Sequence, residues 1–143
     1  MYKGIADMFF KLMGRLLCTA FNPQCCEIQV ELRKETYGFS VFAYSGKRNV
    51  ANIKCLCYED GSILICDIQH RNNEYNRGYG SAMIDKLNSH AVENGYTHIW
   101  GNLSEVDRDH QDRLHHFYQK HGFQVTVFER MDGSYYGRID KYL

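Results

Sequence analysis

The sequence predicts a mixed α/β domain in which helices flank a central sheet with antiparallel and parallel parts. Length is the first reason, because 143 residues suffice for one domain with a real core and are too few for two ordinary ones. Composition is the second, since 11 Tyr and 8 Phe beside many Val and Ile favour a substantial sheet. The third is periodicity, because the apolar residues change from strand-like to helical spacing at Gly80.

Charge and composition exclude several functional classes. The 17 Lys and Arg residues are balanced by 17 Asp and Glu, so there is no basic excess of the kind expected in a nucleic-acid-binding domain. Hydrophobic residues make up 44% of the chain and Pro occurs once, which excludes wholesale disorder and low complexity. We therefore expect a globular protein without a nucleic-acid partner.

The first 21 residues predict an amphipathic helix. Charges recur on one face, at Lys3, Asp7, Lys11 and Arg15. Apolar side chains mark another face, at Ile5, Met8, Phe9, Leu12 and Leu16. The charges interrupt every run that resembles a secretion signal, and no apolar stretch approaches the ~18–20 residues that span a bilayer. We expect a cytoplasmic protein without a membrane partner, in which this helix packs on the core; a helix on a membrane surface or a partner protein is the alternative.

Four strands are predicted after the breaker at Asn22 and Pro23, at positions 26–32, 37–44, 50–58 and 62–70. Turn signals at positions 45–46 and 60–61 predict an antiparallel meander. The nearly continuous apolar start of the fourth strand favours a central, buried position.

Helices and strands alternate in the second half of the chain. A helix begins at Gly80 and ends before Gly95, and its apolar face holds Met83, Ile84, Leu87 and Ala91. A fifth strand is predicted at 96–100. A second helix contains Leu114, Phe117, Tyr118 and His121 and is closed by Gly122. Two last strands, at 123–130 and 135–140, surround a turn at 131–134.

The six cysteines do not form a zinc signature. Cys55 and Cys57 have strand spacing and lack a second pair. If positions 60–61 form a two-residue turn, Cys55 faces Cys66 across the ladder, where the two could be a redox pair. Reduced, buried thiols are the favoured interpretation. We expect no metal site, because the acidic and histidine-rich segment 107–116 lacks a histidine pair on one helical face.

A glycine-containing segment lies between the fourth strand and the first of these two helices: Glu-Tyr-Asn-Arg-Gly-Tyr-Gly-Ser at positions 74–81. A helix N-terminus presents unpaired N–H groups and the positive end of the helix dipole, and glycines let the backbone close around an anion. The segment therefore suits a phosphate or pyrophosphate, with a plain tight turn as the alternative. It is neither a Walker loop nor a dinucleotide fingerprint, since Met83 stands where the latter needs a third glycine.

Together with a later string, this segment resembles the GCN5-related N-acetyltransferase (GNAT) family. That family has a first motif Gln/Arg-x-x-Gly-x-Gly/Ala and a second motif ending in Leu-Tyr-x-Lys-x-Gly-Phe. The second motif corresponds here to Phe-Tyr-Gln-Lys-His-Gly-Phe at positions 117–123. The resemblance covers residues 36–130 and implies a GNAT-like acyl-CoA N-acyltransferase fold, as one domain over 1–143 with its core at 26–140.

The resemblance implies acetyl-CoA as the acetyl donor. Its pyrophosphate would be held by the loop residues, which are Tyr75, Asn76, Arg77, Gly78, Tyr79, Gly80 and Ser81. The backbone of Ile68 and His70 would pair with the pantetheine arm between the fourth and fifth strands. Gln111 takes the place of a family Asn near that arm, and Tyr75 replaces the motif's first Gln or Arg.

The resemblance also implies direct attack of a primary amine on the thioester in a ternary complex. Such a step needs a neutral amine, a polarised carbonyl and a leaving group that receives a proton. Tyr118 falls on the family's tyrosine, the candidate acid for the CoA thiolate, and Asp67 is our candidate base. Other candidate bases are Glu105, Asp107, His70, His110 and His115, or a chain of water molecules.

The acceptor is expected to be a small-molecule or peptide amine. One predicted helix precedes the first strand, where the family usually has two helices after it, so the acceptor site would be open or completed by a partner chain, such as a second copy in a homodimer. Tyr75 and this shortened region motivate the alternative function, a non-catalytic module that binds CoA, acyl-CoA or a protein. A redox or metal protein that uses the cysteines is a third alternative.

Overall fold

The computed structural model describes residues 27–71 and 77–143. Within these residues the strands are β1 (Gln29–Lys34), β2 (Gly38–Ser45), β3 (Arg48–Cys57), β4 (Ser62–His70), β5 (His98–Ser104), β6 (Gln124–Asp132) and β7 (Tyr135–Tyr142). Helix α1 (Tyr79–Glu93) connects β4 to β5, and a 3₁₀ segment (Glu105–His110) leads from β5 into α2 (Gln111–Lys120). The helix predicted for the first 21 residues lies outside the described residues.

The strands form one sheet in the order β1-β2-β3-β4-β5-β7-β6. Neighbours pair antiparallel except β4 and β5, which are parallel and joined through α1. The predicted mixed sheet, with an antiparallel meander in its first half, is therefore confirmed. The parallel pair lies near the middle of the sheet, where the covering α1 allows it.

The parallel strands β4 and β5 part after four residue pairs. Their register runs from Ser62 opposite His98 to Ile65 opposite Gly101. On the other side of β4, Lys54 faces Asp67 while Cys55 faces Ile65, so Cys66 is an extra residue in a β-bulge. A bulge bends its strand and increases the local twist. The bulge at Cys66 therefore stands where β4 turns away from β5 and the sheet opens.

The core lies between the sheet and the helices. The predicted apolar face of α1 is fully buried, with Met83, Ile84, Leu87 and Ala91 each 0% exposed. These side chains meet the alternating buried positions of the strands, among them Val41, Ile53, Ile63 and Ile99. The alternation of apolar and polar residues in the meander thus sets which face of the sheet the helices cover.

Two element boundaries differ by three residues or more from the sequence-based expectation. Strand β5 continues to Ser104 instead of ending at position 100, because Gly101 is a site of close packing and not a terminator. A Cβ at Gly101 would lie 3.2 Å from the Ile65 carbonyl oxygen and 3.3 Å from the Ile139 side chain. At the start of the sheet, β1 is displaced from the expected 26–32 to Gln29–Lys34.

The predicted pairing of Cys55 with Cys66 is wrong. The connection from β3 to β4 has four residues instead of two, and the Asp60 carboxylate accepts hydrogen bonds from the N–H and hydroxyl of Ser62 at 2.9 and 2.6 Å. The longer turn places Ile65, not Cys66, opposite Cys55, and the bulge follows only after that pair. Both thiols are free; Cys55 is buried in the core and Cys66 is exposed.

Candidate active site

A cavity of about 730 Å³ occupies the opening between β4 and β5. Its walls are the edge of β4 beyond Ile65, the N-terminus of α1, the end of β5 with the following 3₁₀ segment, and one side of α2. The β4 residues Cys66, Asp67, Ile68 and His70 all line it. Since the described register with β5 stops at Ile65, the backbone edge of β4 borders this cavity where it would otherwise continue the sheet.

One end of the cavity is built by the N-terminus of α1. Gly78 precedes the helix with φ +82°, a left-handed conformation that strains other residues, and its carbonyl accepts the Ala82 N–H at 3.0 Å. The five residues 77–81 all line the cavity. The first turn of this helix holds no acidic side chain. The free N–H groups and the helix dipole therefore make this end of the cavity favourable to an anion.

Gly80 lets α2 approach this helix start closely. A Cβ at Gly80 would lie 3.1 Å from the Phe117 ring and 3.9 Å from Cε1 of His70. Lys120, one turn further along α2, lies with Nζ 5.7 Å from the centre of the Phe117 ring and also lines the cavity. With Arg77 it adds positive charge at the α1 end, which we call the basic end.

The other end of the cavity is built around Tyr118. Its side chain is only 6% exposed and packs edge to face against Phe117 and Phe123, with ring centres 5.3 and 5.5 Å away. Burial raises the pKa of the Tyr118 phenol well above its usual value, and the nearby carboxylates of Asp107 and Asp67 raise it further. We call this region, with Tyr118 and the two carboxylates, the phenol end.

Some of the candidate bases line the cavity and others do not. Asp67, Asp107, His70 and His110 line the cavity. Glu105 is instead held by Arg108, whose guanidinium donates to its carboxylate at 2.9 and 3.0 Å. His115 contacts the Tyr136 hydroxyl at 3.0 Å, and neither Glu105 nor His115 is among the described residues that line the cavity. An oxygen of Asp67 accepts a hydrogen bond from the Gln69 amide at 2.7 Å.

Most of the site residues proposed from the sequence come together in this cavity. Those that line it are Asp67, Ile68, His70, Arg77, Gly78, Tyr79, Gly80, Ser81 and Tyr118. Gln111 begins α2 and is not among the described lining residues, while Tyr75 and Asn76 lie outside the described part of the chain.

Some lining residues were not proposed from the sequence. Asn102, Ser104 and Tyr135 reach the cavity because β5 runs beyond Gly101 and pairs there with β7. No local sequence signal marks them, since their place depends on a strand pairing. Asp107 was only one of several candidate bases, and its position beside the phenol follows from the 3₁₀ segment.

The fold is of the acyl-CoA N-acyltransferase type, and comparison with known families agrees. The family model of the acetyltransferase (GNAT) domain matches residues 36–125. This match covers more than half of the chain, so the chain belongs to the GNAT acetyltransferase family. The membership implied by the two sequence motifs is confirmed.

Individual relatives are more distant. The uncharacterized protein YocC of Bacillus subtilis is 34% identical over 85 residues, which is 59% of this chain and 48% of that protein. The chain thus spans about half the length of this curated relative. A Bacillus subtilis acetyltransferase in complex with CoA superposes with a TM-score of 0.63 at 15% identity, covering 82% of this chain and 99% of that one.

A second solved structure, the PaiA N-acetyltransferase of Thermoplasma acidophilum in complex with coenzyme A, has a TM-score of 0.59 at 14% identity and covers 73% of this chain and 60% of that one. At such identities these structures establish the shared fold and nothing further.

In the described part of the chain, no helix is long and apolar enough to cross a membrane. The same residues contain no group of three or more His, Cys, Asp or Glu arranged to hold a metal ion.

Proposed function

We propose that this chain is an acetyl-CoA-dependent N-acetyltransferase that acetylates a primary amine by direct attack in a ternary complex. The observation that carries the proposal is the continuity of one cavity from the anion-binding start of α1 to a buried phenol flanked by two carboxylates. Acetyl-CoA has a pyrophosphate in its CoA portion, which needs an anion-binding site, and a thioester at its other end, which needs a hydrogen-bond donor for the leaving sulfur. Two fold relatives whose structures contain CoA support the choice of cofactor.

Acetyl-CoA would lie along the opening between β4 and β5. Its pyrophosphate would accept hydrogen bonds from the N–H groups at residues 77–81, where the helix dipole favours negative charge. The pantetheine amides would pair with the edge of β4 at Ile68 and His70, as an added strand pairs with a free edge. This arrangement carries the thioester towards the bulge at Cys66 and the phenol of Tyr118.

The carboxylates of Asp67 and Asp107 favour a cationic acceptor. A primary amine with the lysine-like pKa of about 10.4 is protonated at neutral pH and must lose a proton before it attacks. The two carboxylates attract the ammonium ion, and one of them accepts its proton directly or through water. Asp67 lies on β4 itself, next to the bulge, so we keep it as the base and assign Asp107 to binding of the ammonium group.

The transfer then proceeds with balanced bonds. The neutral amine attacks the thioester carbonyl, a C–N bond forms, and charge develops on the carbonyl oxygen, where a backbone N–H from β4 stabilises it. Collapse breaks the C–S bond, and the products are an N-acetylated amine and CoA as a thiol. The attacking amine loses one proton as the amide forms, and the thiolate gains one. The proton that the ammonium ion gave to Asp67 before the attack passes to solvent, so one proton is released per turnover.

The raised pKa of Tyr118 defines its part in this step. A phenol with such a pKa stays protonated throughout the neutral range and always offers a donor. Full transfer of its proton to a thiolate, whose conjugate acid has a pKa of about 8.5, is uphill. Tyr118 therefore stabilises the leaving thiolate mainly as a hydrogen-bond donor, and the proton itself arrives from the base or from water.

The variant Tyr118→Phe tests the proposal. It removes one hydroxyl and keeps the ring that packs against Phe117 and Phe123. In an assay of CoA release with a panel of primary amines, kcat should fall about 10²-fold, as for loss of a positioned hydrogen-bond donor to a developing anion. Titration with CoA should give an unchanged Kd, which distinguishes a lost chemical step from a damaged binding site.

Two outcomes would contradict the proposal. Full turnover by Tyr118→Phe would exclude the assigned role of the phenol. Tight binding of acetyl-CoA by the wild type, without CoA release in the presence of any amine, would instead favour the non-catalytic binding module.

A further inference from the structure

His121 contacts the proposed phosphate-binding helix from α2. Its ring atom Nε2 lies 3.0 Å from the hydroxyl oxygen of Ser81, the third residue of α1, and Ser81 lines the cavity. On the other side of the ring, Nδ1 lies 3.8 Å from a carboxylate oxygen of Asp85. The His121 side chain is only 11% exposed, whereas the Asp85 side chain is 73% exposed.

We propose that His121 couples protonation to cofactor binding, because it must donate to Ser81 whenever Ser81 donates to a bound pyrophosphate. This inference rests on the proposed function. A phosphate diester oxygen only accepts hydrogen bonds, so a hydroxyl that faces it must point its hydrogen outward. The lone pairs of Ser81 then face His121, and Nε2 must carry a hydrogen.

The state of the ring that satisfies both neighbours is the imidazolium ion. A neutral ring with its hydrogen on Nδ1 accepts from Ser81 and turns the hydroxyl away from the ligand. A neutral ring with its hydrogen on Nε2 also donates to Ser81, but it turns the lone pair of Nδ1 towards the negative Asp85 carboxylate, which is unfavourable. Only the protonated ring donates to Ser81 and also faces Asp85 with a positive charge.

The remaining charges around His121 oppose protonation before the cofactor arrives. Lys120 on the same helix and Lys141 on β7 carry like charge, and the Lys141 ammonium donates to the His121 carbonyl at 2.8 Å. Burial lowers the pKa of His121, the two lysines lower it further, and Asp85 acts in the opposite direction. The ring is therefore largely neutral in the free protein near pH 7, and a bound pyrophosphate would draw in a proton.

The test is calorimetric titration of the intact protein with dephospho-CoA in buffers of different ionisation enthalpy. Dephospho-CoA keeps the pyrophosphate and lacks the 3′-phosphate monoester, whose own pKa of about 6 would obscure the result. The wild type should take up a fraction of one proton per ligand near pH 7. Its Kd should rise between pH 6 and pH 8, by at most about tenfold per pH unit.

The variant His121→Gln keeps an N–H donor but does not titrate near neutrality, so its Kd should be independent of pH and its proton uptake should vanish. The matched control is His90→Gln, near the far end of α1 with its ring 4.6 Å from Phe39, which should keep the uptake of the wild type. A merely structural role of His121 would change Kd equally at every pH.

Three results would overturn the inference: binding without proton uptake by the wild type, unchanged uptake in His121→Gln, or loss of uptake in His70→Gln with retention in His121→Gln. Failure of the wild type to bind either CoA or dephospho-CoA at any pH would overturn the proposed function as well. The two failures are thus distinguishable in one set of titrations.

Discussion

The two ends of the cavity differ in charge and in the elements that build them. The basic end consists of backbone N–H groups at the start of α1 together with Arg77 and Lys120. The phenol end consists of side chains from β4, the 3₁₀ segment and α2, with carboxylates at Asp67 and Asp107. One end thus suits an anion and the other a cation, which is the polarity that transfer from an anionic carrier to an ammonium acceptor requires.

Because the two ends differ in charge, substitutions at each end should impair a different step. Changes at the basic end should alter binding of the cofactor and leave the chemical step intact. Changes at the phenol end should alter use of the amine and leave Kd for CoA unchanged. A substitution at one end that impairs the step assigned to the other end would contradict this assignment of the two ends.

The largest effect is expected at the basic end from Gly80→Val. Its side chain would begin 3.1 Å from the Phe117 ring and force that ring away from α1. Overpacking of this kind destabilises a fold by about 1–3 kcal/mol. Because the strain here displaces the helix start that binds the pyrophosphate, Kd for CoA should rise about ten- to a hundredfold. Calorimetric titration measures Kd for CoA. The control is Ser89→Val, which adds the same β-branched side chain on the exposed side of α1.

An effect of at most about fivefold is expected at the phenol end from Asp107→Asn, because the Asp107 side chain is exposed and water screens its charge. The change removes the negative charge and keeps the shape, so the KM for a cationic amine should rise while Kd for CoA stays constant. Steady-state kinetics with a charged primary amine measures it. Matching kinetics for Glu105→Gln, whose carboxylate is occupied by Arg108, should resemble the wild type. An equal loss in both variants would show that net charge matters and position does not.

A smaller effect, about threefold on Kd for CoA, is expected when Arg77 and Lys120 are both replaced by Ala. Both side chains are exposed, so each attraction to phosphate is worth well below 1 kcal/mol. The salt dependence of binding should become shallower, because fewer charges are screened. Unchanged salt dependence would mean that the backbone N–H groups alone attract the cofactor.

The smallest effect concerns stability at alkaline pH. The folded-state pKa of Tyr118 lies above that of the unfolded chain, about 10, so its contribution is complete below pH 10 and is lost as the pH rises further. The loss should be at most about 1.4 kcal/mol per pH unit for this group. Urea unfolding at pH 8 and pH 11 should show a smaller decline for Tyr118→Phe than for Tyr37→Phe, the matched change at an exposed tyrosine.

Local sequence signals pointed to the loop at 77–81, to Tyr118 and to Asp67, but not to the parts of the phenol end that come from strand pairing. The glycines at 78 and 80, the buried stripe on α1 and the string at 117–123 are contiguous patterns whose structural meaning does not depend on distant residues. They predicted both helices, whereas the close approach of α2 to Gly80 is seen only in the fold. The mixed sheet followed from alternation and turn signals in the same way.

The phenol end depends on pairings that no contiguous pattern specifies. The bulge at Cys66 and the extension of β5 through Gly101 arise from register with neighbouring strands. The pairing of Cys55 with Cys66 that a two-residue turn would give does not occur, because the connection from β3 to β4 has four residues. Asp107 lies near Tyr118 because of a 3₁₀ segment that no periodicity in the sequence predicts. The partnership of His121 with Ser81 likewise joins residues that lie 40 positions apart in the sequence.

The most direct test of the central claim is thermal unfolding of the protein with acetyl-CoA, compared with ATP and NAD at the same concentrations. A ligand present at a hundred times its Kd stabilises the folded state by about 2.7 kcal/mol. We expect a clear rise in Tm with acetyl-CoA and a much smaller one with either control nucleotide. No rise with acetyl-CoA, or an equal rise with ATP, would contradict the assignment of the cavity to an acetyl-CoA-dependent enzyme.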